Sequence, residues 1–235
     1  MIELMLRRAQ EAGIDLAREQ AEKFETYHRM LTEANAKFNL TRIPDDEAEA
    51  IDRNYLDCLA PLRFGLTNVR RAIDVGSGAG FPGIPLAICM PETRFVFLDS
   101  LGKRVDFLNE VVKALGLNAE AIHMRAEDAA RRPELREAFD LATARAVAPL
   151  NLLAEYLLPF VRMGGTMLAY KGPSLEEELN EAANALSILG GPISRTERAD
   201  IPGRDWDHRL CWIKKTAPTP DKYPRKAGKP EKNPL

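Results

Sequence analysis

Cysteine is scarce in this 235-residue chain. Cys58, Cys89 and Cys211 lie far apart and form no Cys-x-x-Cys pair. That usage excludes a disulfide framework and fits a reducing, cytoplasmic compartment. Histidine is equally rare. His28, His123 and His208 share no ligand spacing with each other or with the cysteines, so no metal is expected. No apolar run reaches the roughly 18 residues of a membrane span, and no membrane partner is expected. The opening Met1-Ile-Glu-Leu-Met-Leu-Arg-Arg8 lacks the long apolar core and small-residue cleavage site of a signal peptide. A net charge of -2 excludes a uniformly cationic surface. Aromatic residues are 7% of the chain, and Phe24, Tyr27 and Phe38 fall at the spacing of a helix core. Trp206, in the Asp205-Trp-Asp-His-Arg209 turn, is the one aromatic placed to stack on a base.

What is present is a chain that is 45% hydrophobic, enough for a real core. Residues 1–65 read as an N-terminal helical appendage. Gly13 closes a first helix, and Asp15 is placed to cap a second. That second helix aligns Leu16, Gln20, Phe24, Tyr27, Leu31, Ala34 and Phe38 near one face. Asp46 with Glu49 resembles a capping box for a third. Residues 66–215 alternate strand and helix. Strands are predicted at 71–75, 94–99, 119–124, 139–145 and 165–171, with helices near 83–90, 103–116, 149–161 and 174–189. Segments 195–201 and 209–215 lack a helix between them. The pattern predicts an α/β fold with a doubly wound, mostly parallel sheet and an antiparallel edge hairpin. Residues 216–235 carry Lys222, Arg225, Lys226, Lys229 and Lys232 against Asp221 and Glu231. They read as a basic, proline-containing tail that adds little core and offers phosphate contacts. The competing reading packs Tyr223 and Pro224 back on the body.

One segment concentrates the chemical information: Asp74-Val-Gly-Ser-Gly-Ala-Gly-Phe-Pro-Gly-Ile-Pro85. A predicted strand ends at Val75, glycines alternate at Gly76, Gly78 and Gly80, and a helix follows. Such a loop brings a nucleotide-like ligand against bare backbone. Asp99 ends the next strand about 20 residues on, where an acid can hold both hydroxyls of a ribose. Asp-x-Gly-x-Gly-x-Gly resembles the first motif of S-adenosylmethionine (SAM) dependent methyltransferases. Gly78-Ala-Gly80-Phe-Pro-Gly83 also fits the G-x-G-x-x-G pattern of NAD or FAD sites, which keeps a nicotinamide-dependent oxidoreductase as the rival reading. Against it, Pro82 and Pro85 sit where backbone N–H groups should face a pyrophosphate. Asp74 is either a ligand residue or a brace behind the loop.

The same loop, taken with Lys37-Phe-Asn-Leu-Thr41, Leu98-Asp-Ser-Leu-Gly-Lys-Arg-Val105, Ala144-Arg-Ala146, Lys171-Gly172 and the closing Lys222–Pro230 string, resembles the glucose-inhibited division protein B family. Its members are bacterial 16S rRNA (guanine-N7)-methyltransferases on a Rossmann-like class I fold. The resemblance implies SAM as cofactor and 16S rRNA or the small ribosomal subunit as partner. It also implies Gly76, Gly78, Phe81, Asp99, Ala126, Glu127 and Arg145 as the cofactor site, with Arg145 and Lys171 as candidate substrate contacts. Two positions depart from the family pattern: Asn54 stands where many members have histidine, and Cys58 where serine is usual.

The end of the fourth strand, Thr143-Ala-Arg-Ala146, carries neither the Asn/Asp-Pro-Pro-aromatic set of amine methylation nor the Pro-Cys nucleophile of pyrimidine C5 methylation. Guanine N7 has an in-plane lone pair and no proton to remove, so its methylation needs alignment and no general base. No catalytic triad is expected. A small-molecule methyltransferase and a non-catalytic SAM-binding RNA chaperone remain as other readings.

Overall fold

Nearly continuous apolar runs in the predicted strands become a sheet buried on both faces, as parallel strands flanked by helices require. The computed structural model describes residues 1–235, except for the side chains of Phe38 and Ser194. Strands β1 (Arg71–Val75), β2 (Arg94–Asp99), β3 (Ala119–His123), β4 (Phe139–Arg145) and β5 (Val161–Lys171) are parallel. The hairpin β6 (Ile193–Arg198) and β7 (Arg209–Lys214) joins antiparallel on the β5 side. The order is β3-β2-β1-β4-β5-β7-β6. The chain starts in the middle, winds outward to β3 and returns beside β1 as β4. Ligand crevices open where that winding reverses, at the carboxyl ends of β1 and β4. β5 starts ahead of the predicted 165. Val161 pairs with Phe139 before a register irregularity, so the Gly164–Gly165 pair lies inside the strand.

Sequence alternation sorts each strand between two cores. Ala72, Phe95, Phe97, Leu141, Leu168, Tyr170, Leu210 and Trp212 face one side. Ile73, Val75, Val96, Leu98, Ala142, Ala144, Met167, Ala169, Cys211 and Ile213 face the other. The first face is covered by the N-terminal helices α1 (Ile2–Glu11) and α2 (Arg18–Phe38). A continuous run follows them: α3 (Glu47–Ala50), a π-helical stretch (Ile51–Leu56), α4 (Asp57–Leu59) and a 3-10 turn (Ala60–Phe64). Helices α5 (Gly83–Cys89) and α6 (Gly102–Leu115) complete that layer, and α7 (Ala126–Ala129), α8 (Leu150–Leu157) and α9 (Leu175–Leu189) cover the second face. Phe24, Tyr27 and Leu31 of α2 are fully buried, as their spacing predicts, while the side chain of Phe38 lies outside the described residues. Asp46 caps α3 by accepting from Glu49 N–H at 2.7 Å. Asp15 does not cap α2. That helix begins at Arg18, and the Gln20 side chain accepts the Ala17 N–H at 2.8 Å instead.

The expectation that residues 216–235 add little to the fold is corrected by the structure. Tyr223 and Pro224 are buried. Arg136 donates to the carbonyls of Tyr223 and Thr219 at 2.9 and 2.8 Å, and Arg131 to that of Pro224. Arg225 grips Glu155, itself 1% exposed, through Nε and Nη2. A short helix, α10 (Lys229–Lys232), lies against α8. Backbone carbonyls and one buried ion pair anchor this segment, and composition reports neither. Lys222, Lys226, Lys229 and Lys232 stay exposed. Among the described residues no helix is long and apolar enough to cross a membrane.

Candidate functional site

The glycine loop after β1 turns with φ of 71° at Gly76 and 60° at Gly78, a region that side chains disfavour. A Cβ at Gly76 would fall 2.8 Å from Val147 Cγ2, so glycine is also needed there for space. At Gly78 nothing lies closer than 3.9 Å, and a side chain would project into an opening. Gly78 N–H donates to Asp99 Oδ2 at 2.8 Å, and Leu101 N–H donates to Asp99 Oδ1 at 2.9 Å. Arg104 Nη1 approaches the same carboxylate at 3.5 Å. The ends of β1 and β2 thus fix a carboxylate, 3% exposed, at the edge of the loop.

Asp74 is the brace behind the loop. It is fully buried, accepts from Thr143 Oγ1 at 2.9 Å and from Gly83 N–H at 3.2 Å, and so ties β1 to β4 and α5. Burial pushes its carboxyl up to about 6, against the hydrogen bonds that pull it down.

Two clefts meet at Ala146–Val147. The smaller, about 280 Å³, is lined by Gly76, Asp99, Ala126 and Glu127, together with Met124, Val147 and Tyr156. Four sequence-predicted cofactor residues therefore share one wall, with Gly78 attached through Asp99. Glu127 is 3% exposed and accepts from Gly228 N–H at 3.2 Å, while Tyr156 donates to Glu231 at 3.2 Å. The C-terminal segment thus holds two residues of this cleft.

Phe81 and Arg145 are placed elsewhere. Phe81 packs in an aromatic cluster with Tyr27 and Tyr55, ring centroids 5.7 and 6.1 Å away. The Arg145 guanidinium lies 4.8 Å over the Phe81 ring and donates to Asp57 Oδ2 at 3.0 Å and to the Arg53 carbonyl at 2.9 Å. Arg145 lines the larger cleft, about 650 Å³, together with Asn54, Asp57, Lys171, Glu178 and His208. Lys171 Nζ is held by Ala148 O at 2.7 Å and Glu178 at 2.6 Å. His208 Nδ1 meets Asp57 Oδ1 at 2.9 Å. Trp206 stacks on His208 at 5.3 Å, and the guanidinium groups of Arg53 and Arg204 lie 4.7 and 5.4 Å from its ring.

Sequence reasoning misses Asp57, Glu178 and Tyr156 in these walls. Their signal is tertiary: Asp57 and His208 are 151 residues apart in sequence. Among the described residues no cluster of histidine, cysteine and carboxylates could hold a metal ion.

The family model for rRNA small subunit methyltransferase G matches residues 20–202. Ribosomal RNA small subunit methyltransferase G of Clostridium perfringens is 43% identical, the match covering 99% of this chain and 98% of that protein. The protein of the same name from Clostridium botulinum is 45% identical over the same shares. Among solved structures, the cofactor-bound Rv0187 protein from MTB aligns with a TM-score of 0.56 at 18% identity, covering 83% of this chain and 91% of that one. At that identity the likeness shows the fold alone.

Proposed function

This chain belongs to the rRNA small subunit methyltransferase G family, and from that premise we propose that it transfers the methyl group of S-adenosyl-L-methionine to N7 of one guanosine in 16S rRNA. The observation that carries the reading is the Asp99 carboxylate, held by the Gly78 and Leu101 N–H groups beside a glycine loop with open space at Gly78. Asp99 would hold the ribose hydroxyls, while Ala126 and Glu127 would flank the adenine. The bound cofactor supplies an electrophilic methyl on sulfur. The larger cleft is the base site, and acceptor and donor meet at the Ala146–Val147 boundary that both clefts share.

The protein's own part is positioning. N7 needs no base to free its lone pair, and alignment of reacting groups is worth up to about 7–11 kcal/mol. The rim of the base cleft offers Arg42, Arg53 and Arg209 to phosphates. N7 lies on the groove edge that is inaccessible inside an A-form duplex, so the target must be a base in a loop.

Calorimetry tests the cofactor assignment. S-adenosylhomocysteine is expected to bind and NAD not. Gly78→Val should abolish binding by filling the opening. Asp99→Ala should weaken it by about 1.5–3 kcal/mol, the worth of hydrogen bonds to a charged group. NAD binding, or unchanged affinity in both variants, would overturn the reading.

A further inference from the structure

Among the described residues, two buried polar atoms of the base cleft have no hydrogen-bond partner: Nε of Arg53, whose guanidinium lies over the Trp206 ring, and the amide nitrogen of Asn54. Asn54 is 3% exposed, lines the cleft, and its Nδ2 has no acceptor. Buried amide donors are almost always paired, because desolvation without a hydrogen bond is costly. Its neighbours are committed. Asp57 receives Arg145 on one oxygen and His208 on the other, and Lys171 is held by Glu178 and the Ala148 carbonyl. Asn54 also sits in the π-helical stretch Ile51–Leu56, a rare conformation that is frequent at functional sites. The carbonyl of its neighbour Arg53 is taken by Arg145, so this turn and the end of β4 form one wall.

We propose that Asn54 reads the target base by donating its unpaired amide hydrogen to the C6 carbonyl oxygen. The proposal rests on the N7 assignment above. Guanine presents two adjacent acceptors on that edge, N7 and O6, whereas adenine presents N7 beside an amino donor. Once N7 faces the methyl donor, O6 needs an N–H. A carboxylate at position 54 would repel it, and an aliphatic side chain would leave it unpaired. An amide donor accepts guanine and hypoxanthine and disfavours adenine and 2-aminopurine, which lack an acceptor at C6.

The test uses 16S rRNA ligated with guanine, hypoxanthine or 2-aminopurine at the methylated position, under single turnover. Wild-type enzyme should methylate hypoxanthine nearly as fast as guanine, and 2-aminopurine about 10- to 100-fold more slowly. Asn54→Leu should slow guanine by a similar factor and leave 2-aminopurine unchanged, so the ratio collapses. Asn54→His, which keeps a donor, should preserve the ratio. S-adenosylhomocysteine affinity should stay at the wild-type value in both variants, which reports an intact fold and cofactor site. Wild-type enzyme indifferent to the C6 oxygen, or Asn54→Leu keeping the wild-type ratio, would overturn the proposal. Wild-type indifference to the C6 oxygen overturns the proposal whatever becomes of Asn54→Leu, and Asn54→His tests the donor at position 54 a second time. The nucleoside formed from guanine reports separately on the N7 assignment.

Discussion

At Asp74 a carboxylate is kept out of water by the same packing that shapes the glycine loop. Its pKa near 6 lies above the ordinary 3.8, so the folded state holds a proton that the unfolded chain has lost between those values. Stability should therefore fall as pH rises from about 4 to 6. A shift of that size corresponds to about 2–3 kcal/mol. Asp74→Asn removes the titrating group, so the variant should gain on wild type by that amount across the window in urea titrations. Parallel pH profiles for the two proteins would contradict the burial argument. Asp74 is legible in the sequence as a loop residue, but its role is not. The hydroxyl that pairs with it comes from Thr143 on another strand, and no local spacing announces that contact.

The elements divide by how local their signals are. β1, β2 and β4 match their predicted bounds, because short, nearly continuous buried runs bounded by turn residues mark their ends. The π-helical stretch is invisible, since its side-chain spacing imitates an ordinary amphipathic helix. The C-terminal segment misleads because prolines and lysines read as solvated, while its anchors are carbonyls and the Arg225–Glu155 pair. Arg225→Ala would leave Glu155 buried opposite nothing but a backbone N–H. Breaking one side of a buried pair costs about 3 kcal/mol or more. The melting temperature of Arg225→Ala should drop by several degrees. Lys226→Ala, at an exposed position nearby, should leave it unchanged. Equal melting of both variants would return the segment to the status of a solvated tail.

Across the whole molecule, two clefts lie side by side with the Ala146–Val147 corner between them, one proposed for the cofactor and one for the base. The cofactor half was largely legible, because a glycine loop and a strand-end acid are local motifs. The base half was legible only at Arg145 and Lys171, through the family resemblance, because Asn54, Asp57 and His208 meet them from segments far apart in sequence. In the proposed function the two halves meet in one event, the arrival of a methyl from SAM on N7 of a guanine. Purified enzyme, SAM and unmodified 16S rRNA should therefore yield 7-methylguanosine when the RNA is hydrolysed and its nucleosides are resolved by mass. N2-methylguanosine, a 5-methylpyrimidine or no methylated nucleoside would contradict the account.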